Sequence, residues 1–187
     1  LGLNKTDTSA NLSVNINANM QGKSLENTIG SLVIKDLFLS QDSTYIATDS
    51  IVIKSEYYNN EKHLSLRSEY LDINFSGTYY IPTLIKDVEI FVSKYAPSFI
   101  QNIDTTNQNL NNFKFDVFVK YLKPITKILH EKIRIAPGTN IQGEFSSKNQ
   151  QLNLICRADK IKYNNQSLNN IELHSYTRHE KLHVNIE

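Results

Sequence analysis

Leu12-Ser13-Val14-Asn15-Ile16-Asn17 is the stretch that decides how this chain folds. Every second residue is aliphatic, and the residues between are Ser or Asn. Side chains of a strand point alternately to opposite faces, so this period builds a strip with one apolar face and one wetted face. The design restarts at Leu64-Ser65-Leu66, Leu71-Asp72-Ile73-Asn74-Phe75, Phe113-Lys114-Phe115-Asp116-Val117, Leu152-Asn153-Leu154 and Leu182-His183-Val184-Asn185-Ile186. Strips of this kind joined by short polar turns predict a mainly β protein built on a long, one-sided antiparallel sheet. Function then turns on what covers the apolar face.

Working outward, strands are predicted over 10–20, 31–40, the region of Ile51 and Ile53, Leu64 to Tyr79, and 113–121. Four more follow near 140–147, 150–158, 160–164 with 170–177, and 181–187. Tyr57 to Lys62 supplies a polar hairpin. In the second strand Leu32 and Ile34 share a face, Asp36 falls where an apolar residue is due, and Leu37 and Leu39 resume one position late. A β-bulge near Lys35-Asp36 restores the register. The same slip at Glu69-Tyr70-Leu71 predicts a second bulge. Bulges bend and twist strands, so the sheet is expected to be curved.

Two short helices interrupt the strands. Pro82 suits a first helical turn, and Leu84, Val88, Phe91, Val92 and Tyr95 follow at helical spacing, giving a helix over about 82–96 that Pro97 ends. It is expected to cover the core. Its polar side carries Lys86, Asp87, Glu89 and Lys94, with no basic excess for an anionic membrane. A second helix is predicted over 123–131, with Pro124 early and Ile125, Ile128 and Leu129 apolar. The Leu-Ser-Leu to Leu-Asp-Ile-Asn-Phe unit and the Leu-Asn-Leu to Ile-Lys-Tyr unit form a weak internal repeat. It divides the chain into strand–helix modules at 1–110 and 111–187.

The 187 residues carry 20 Lys+Arg against 19 Asp+Glu, a formal net charge of +1. That balance argues against a nucleic-acid binder. The single Cys156 lies in the alternating series Leu152, Leu154, Cys156, Ala158 and reads as a small core residue. No stretch approaches the roughly 18 apolar residues of a membrane span. Neither end carries a signal peptide or a natural terminus pattern, so the chain is expected to be one excised segment of a longer protein.

One motif points to chemistry. His179-Glu180-Lys181-Leu182-His183 spells H-E-x-x-H, which on a helix places two zinc-binding imidazoles one turn apart with the Glu as general base. Its flanks alternate with period two, so the stretch is expected to be a hairpin turn and not a metal site. His174, His179 and His183 are expected on a solvated face. With neither a phosphate-binding Gly-rich loop nor a nucleophile elbow, the residues nominate no catalytic group and no cofactor.

With these elements placed, the chain resembles the translocation and assembly module family, in its divergent Bacteroidota form, within the AsmA-like, bridge-type lipid transporters. The resemblance rests on Ser31 to Leu37, Leu64-Ser65-Leu66 through Phe75-Ser76-Gly77, the helix to Lys94-Tyr95-Ala96-Pro97-Ser98-Phe99, Phe113-Lys114-Phe115, Ala136-Pro137-Gly138-Thr139 to Phe145, and Leu152-Asn153-Leu154 to Tyr163. It implies a U-shaped β-groove, or β-taco, with an apolar concave face. It further implies a periplasmic segment of a single-pass inner-membrane protein, anchored outside this segment. The expected roles are phospholipid transport between inner and outer membranes, outer-membrane protein assembly with a BamA-type barrel, or both. Phospholipid acyl chains would lie against Val14, Ile16, Leu32, Ile34, Leu37, Ile51, Ile53, Leu64, Leu66, Leu71, Ile73, Phe75, Phe115, Val117, Ile141, Phe145, Leu152, Leu154, Ile171, Leu173, Val184 and Ile186. The other reading of the same residues is a structural β-sandwich with a closed core and no ligand.

Overall fold

The computed structural model describes residues 11–24, 27–41, 44–95, 111–128, 133–164 and 166–187. In chain order the strands are β1 (Asn11–Gln21), β2 (Ile29–Gln41), β3 (Thr44–Tyr58), β4 (Glu61–Ser68) and β5 (Leu71–Thr78). After helix α1 (Ile81–Tyr95) come β6 (Asn112–Val119), helix α2 (Lys123–Ile128), β7 (Ile133–Ile135), β8 (Asn140–Ser146), β9 (Gln151–Tyr163), β10 (Gln166–Arg178) and β11 (Lys181–Ile186). All strands join one open antiparallel sheet in the order β1-β2-β3-β4-β5-β6-β8-β9-β10-β11. The short β7 pairs with the last turn of β9, beyond the part that β8 occupies. β5 pairs with β6 across the expected module boundary, so the two halves share one sheet.

Local chemistry makes the corners. Asn59 and Asn60 both adopt positive φ (50° and 63°), as do His179 and Glu180 (50° and 59°). Two consecutive left-handed residues form the type I′ turn, whose twist matches that of the flanking strands. The expected bulge in β2 is present. Asp36 takes φ 52°, and the β1–β2 register shifts between Ser13 and Asn15. Leu37 and Leu39 pair with Thr48 and Ile46 of β3, where the register runs on without a shift.

Three expectations are corrected. The slip at Glu69-Tyr70-Leu71 is a tight hairpin between β4 and β5, with Arg67 opposite Asp72, and not a bulge in one long strand. Residues 160–164 do not form a strand of their own but complete β9, and β10 begins at Gln166 instead of 170. A three-residue strand, β7, lies where none was expected. Asn170, at φ 51°, places a left-handed residue in β10 much as Asp36 does in β2. The helices begin within a residue of the predicted positions. Ala96, and residues 129–131 of the second predicted helix, lie outside the described residues.

The sheet curls around its helices. Phe91 of α1 packs with Tyr79, Phe113 and Phe145, and side chains from β4 (Leu64) to β11 (Leu182) pack against that cluster. Six inter-strand steps of about 4.8 Å would spread β4 and β11 roughly 29 Å apart in a flat sheet. α2, which follows β6, packs against β3, three strands away in the sheet. Asn111 fastens the start of α1. Its Oδ1 accepts from the Tyr80 amide at 2.6 Å, its Nδ2 donates to Asp87 Oδ2 at 2.5 Å, and its own amide donates to Ser147 Oγ at 2.9 Å.

Candidate functional site

Directly paired residues of an antiparallel sheet project to the same face. Following the pairings strand by strand gives a single row: Ala18, Leu32, Ile53, Leu66, Ile73, Val117, Ile141, Cys156, Leu173 and Ile186. The row crosses every strand from β1 to β11 except the short β7, and all its side chains are apolar. Eight of the ten are among the residues expected to line a groove; Ala18 and Cys156 join them. Cys156 is buried, Leu32 through Ile141 and Leu173 are half-buried, and Ala18 and Ile186 at the two ends are exposed. The row is therefore the floor of a surface that the described residues cover only in part.

The neighbouring rows differ. One runs Met20, Gly30, Ser55, Leu64, Phe75, Phe115, Gly143, Leu154, Ser175 and Val184 by the same pairings. A Cβ at Gly143 would lie 2.6 Å from the Phe115 ring and 2.5 Å from the Asn153 carbonyl oxygen, so the missing side chain makes room for that ring. The next row carries Lys62, Gly77, Phe113, Phe145, Leu152 and Leu182, and here α1 sits. Phe145 and Phe91 are 1% and 0% exposed and meet edge to face at 5.7 Å. Phe145 was expected to line the groove; it is instead sealed beneath α1, because a helix-borne ring fills the space above it. Ile171 is likewise buried, in a second cluster with Cys156 and Ala158.

At both ends of the strand order the face is bare. All of β1 is exposed, with Val14 and Ile16 at 37% and 59%, and Val184 and Ile186 of β11 are at 53% and 56%. Ile34 and Ile51 pair beside the row and are half-buried, and Leu37 and Leu71 are half-buried as well. The opposite face is polar where the alternation predicts. Ser65 pairs with Asn74, Asn74 with Asp116, and Lys114 with Glu144 at 3.5 Å. His174 and Arg157 both bond Glu172, at 3.1 and 2.8 Å, and the His174 hydrogen bond, then that of Arg157, holds its carboxyl below the usual carboxylate range.

His179 and Glu180 form the turn between β10 and β11, so the helix that zinc ligation by H-E-x-x-H requires does not form. His183 lies parallel to the Tyr176 ring at 4.8 Å, and His174 faces Glu172. Burial pushes the Cys156 thiol up, away from the reactive thiolate. Burial, with the nearby Tyr57 phenol, pushes the Tyr79 phenol up to about 12. No helix among the described residues is long and apolar enough to cross a membrane.

Compared with models of protein families, with curated proteins and with solved structures, the chain matches none.

Proposed function

We propose that this segment supports phospholipid transport between the inner and outer membranes, outer-membrane protein assembly, or both, by holding acyl chains along its apolar row. The observation that carries this reading is the row itself, ten apolar side chains on ten successive strands with most of them only half-buried. Each CH₂ removed from water contributes about 0.8 kcal/mol, so even partial burial retains a lipid. Similar side chains at each strand spacing create no deep trap, and a chain can slide along them. The resemblance to the AsmA-like, bridge-type transporters supports the placement: a periplasmic part of a single-pass inner-membrane protein, working with a BamA-type barrel through other regions.

The cluster beneath α1 favours the second reading, a structural β domain with a closed core, for that part of the face. Leu66→Asp separates the two. On a groove wall the charge remains wetted, the fold loses about 1 kcal/mol, and photo-crosslinking of lipid from Ile73 in the intact protein disappears. In a closed core the same carboxylate is stranded and costs several kcal/mol, enough to unfold a typical domain. Denaturant melts beside the crosslinking decide: unfolding of the variant with no lipid adduct in the parent would sink the conduit.

A further inference from the structure

The surface beneath α1 and the open row are one face of the same strands. Two residues along from Val117, Ile141 and Cys156 lie Phe115, Gly143 and Leu154, and two residues further lie Phe113, Phe145 and Leu152. The register of β6 with β8 and of β8 with β9 is unbroken over this span, so the three rows share a face. α1 is held on that face unequally. The buried Asn111 bonds the Tyr80 amide, the Asp87 carboxylate and, at 3.4 Å, Thr83 Oγ1, all at or near the start of the helix. From Val88 to Tyr95 no helix side chain hydrogen-bonds the sheet among the described residues; Ser93 Oγ donates to the Ile90 carbonyl of the helix itself. That half is held by apolar contact of Phe91, Val92 and Tyr95 with the cluster around Phe113 and Phe145.

The described residues hold three buried side-chain polar atoms without a hydrogen-bond partner: Tyr79 Oη, Asp87 Oδ1 and Tyr95 Oη. All three lie along α1, two on the helix and one in the cluster beneath it. A buried polar group without a partner is costly, and access to water removes that cost, so lifting α1 relieves what covering imposes. Lifting also breaks the apolar contacts of Phe91 with Phe113 and Phe145. An acyl chain restores such contacts, because burial of apolar surface has no directional requirement. We infer that α1 is a lid that swings about its Asn111-held start and uncovers Phe113, Phe145 and Leu152 as a further stretch of acyl-binding surface. This rests on the proposed conduit and says how its covered part opens.

The test follows amide hydrogen exchange of the intact protein with lysophosphatidylcholine, kept below the concentration at which it forms micelles, against glycerophosphocholine, the same headgroup without the chain. Amides from Val88 to Tyr95 are expected to exchange tenfold faster or more with the acylated compound, while β6 and β8 keep their protection. Tyr79→Phe with Tyr95→Phe removes two of the three unpartnered atoms. Its α1 amides are expected to exchange at least threefold more slowly than the parent's without lipid, and to respond less to lipid; a variant that exchanges like the parent overturns the inference. Exchange in α1 that the acyl chain leaves unchanged or slows, beside a lipid adduct photo-crosslinked at Ile73, overturns the lid and leaves the conduit standing. Equal acceleration in α1, β6 and β8 reports unfolding of the sheet and overturns the lid too. Absence of any lipid adduct at Ile73 removes the lid and the conduit together.

Discussion

Tyr79 shows how one residue can be apolar in effect and polar in composition. Its ring belongs to the buried cluster with Phe91, Phe113 and Phe145, yet its hydroxyl is buried without a hydrogen-bond partner among the described residues. An unsatisfied buried hydroxyl costs about 1–3 kcal/mol, so Tyr79→Phe is expected to stabilise the fold by about 1 kcal/mol in a denaturant melt. The pH dependence follows from the same burial. With the phenol raised to about 12, the folded state keeps its proton where the unfolded chain, near 10, has lost it. The stabilisation is complete below pH 10 and is lost as pH rises from 10 towards 12. Tyr79→Phe should flatten that part of the stability profile; an unchanged alkaline slope would assign it to other groups. The pattern of residues around Tyr79 reads correctly from sequence as an apolar face, but nothing local says that its oxygen would lie beneath a helix.

Hairpins are the elements whose chemistry is most fully local. At 179–180 the type I′ turn forces Glu180 to φ 59°, a region that costs a residue with a Cβ roughly 1–2 kcal/mol and costs glycine nothing comparable. His179→Asn with Glu180→Gly installs the preferred pair for this turn and is expected to raise stability by about 1 kcal/mol. The same double change removes two of the three residues that define H-E-x-x-H. Lipid binding should persist and added zinc should leave the melting temperature of parent and variant alike unmoved. A zinc-dependent rise in the parent alone would reinstate the metal reading. The Glu69-Tyr70 corner shows the limit of local pattern. A two-residue turn and a bulge both move the apolar set by one position, so parity could not separate a hairpin from a bent strand. The Tyr70 hydroxyl bonded to the Ala47 carbonyl is a contact 23 residues distant in sequence, and no local pattern contains it.

At the scale of the molecule, an open sheet leaves β1 and β11 at its margins, each paired on one side only among the described residues. Bare edges carry unpaired backbone groups and template association. Here the edge strands also expose Leu12, Ile16, Val184 and Ile186. Concentration-dependent self-association is therefore expected in sedimentation velocity, and Ile16→Lys should weaken it by setting a charge on the apolar side of the edge. A monomer at the highest attainable concentration would show that the margins are protected by other means. The curl of the sheet belongs to this scale as well. α1 closes the rows around Phe145, while the row through Leu66 and Ile73 stays partly open.

Local sequence alone determined the class of fold, the alternation of most strands, the bulge at Asp36, the starts of both helices and the hairpin at His179. All are settled within a few residues by backbone geometry and the placement of side chains on two faces. Tertiary structure alone decided which apolar residues share a row, because register depends on pairing between strands and a shift of one residue would scatter the ten side chains. It alone sealed Phe145 and left Leu66 half-covered, since that depends on where Asn111 holds α1. It alone gathered Lys123, Arg134, Lys160 and Lys162 in a chain whose net charge is only +1. Charges from three separate segments cancel in composition, and only the fold brings those of one sign together.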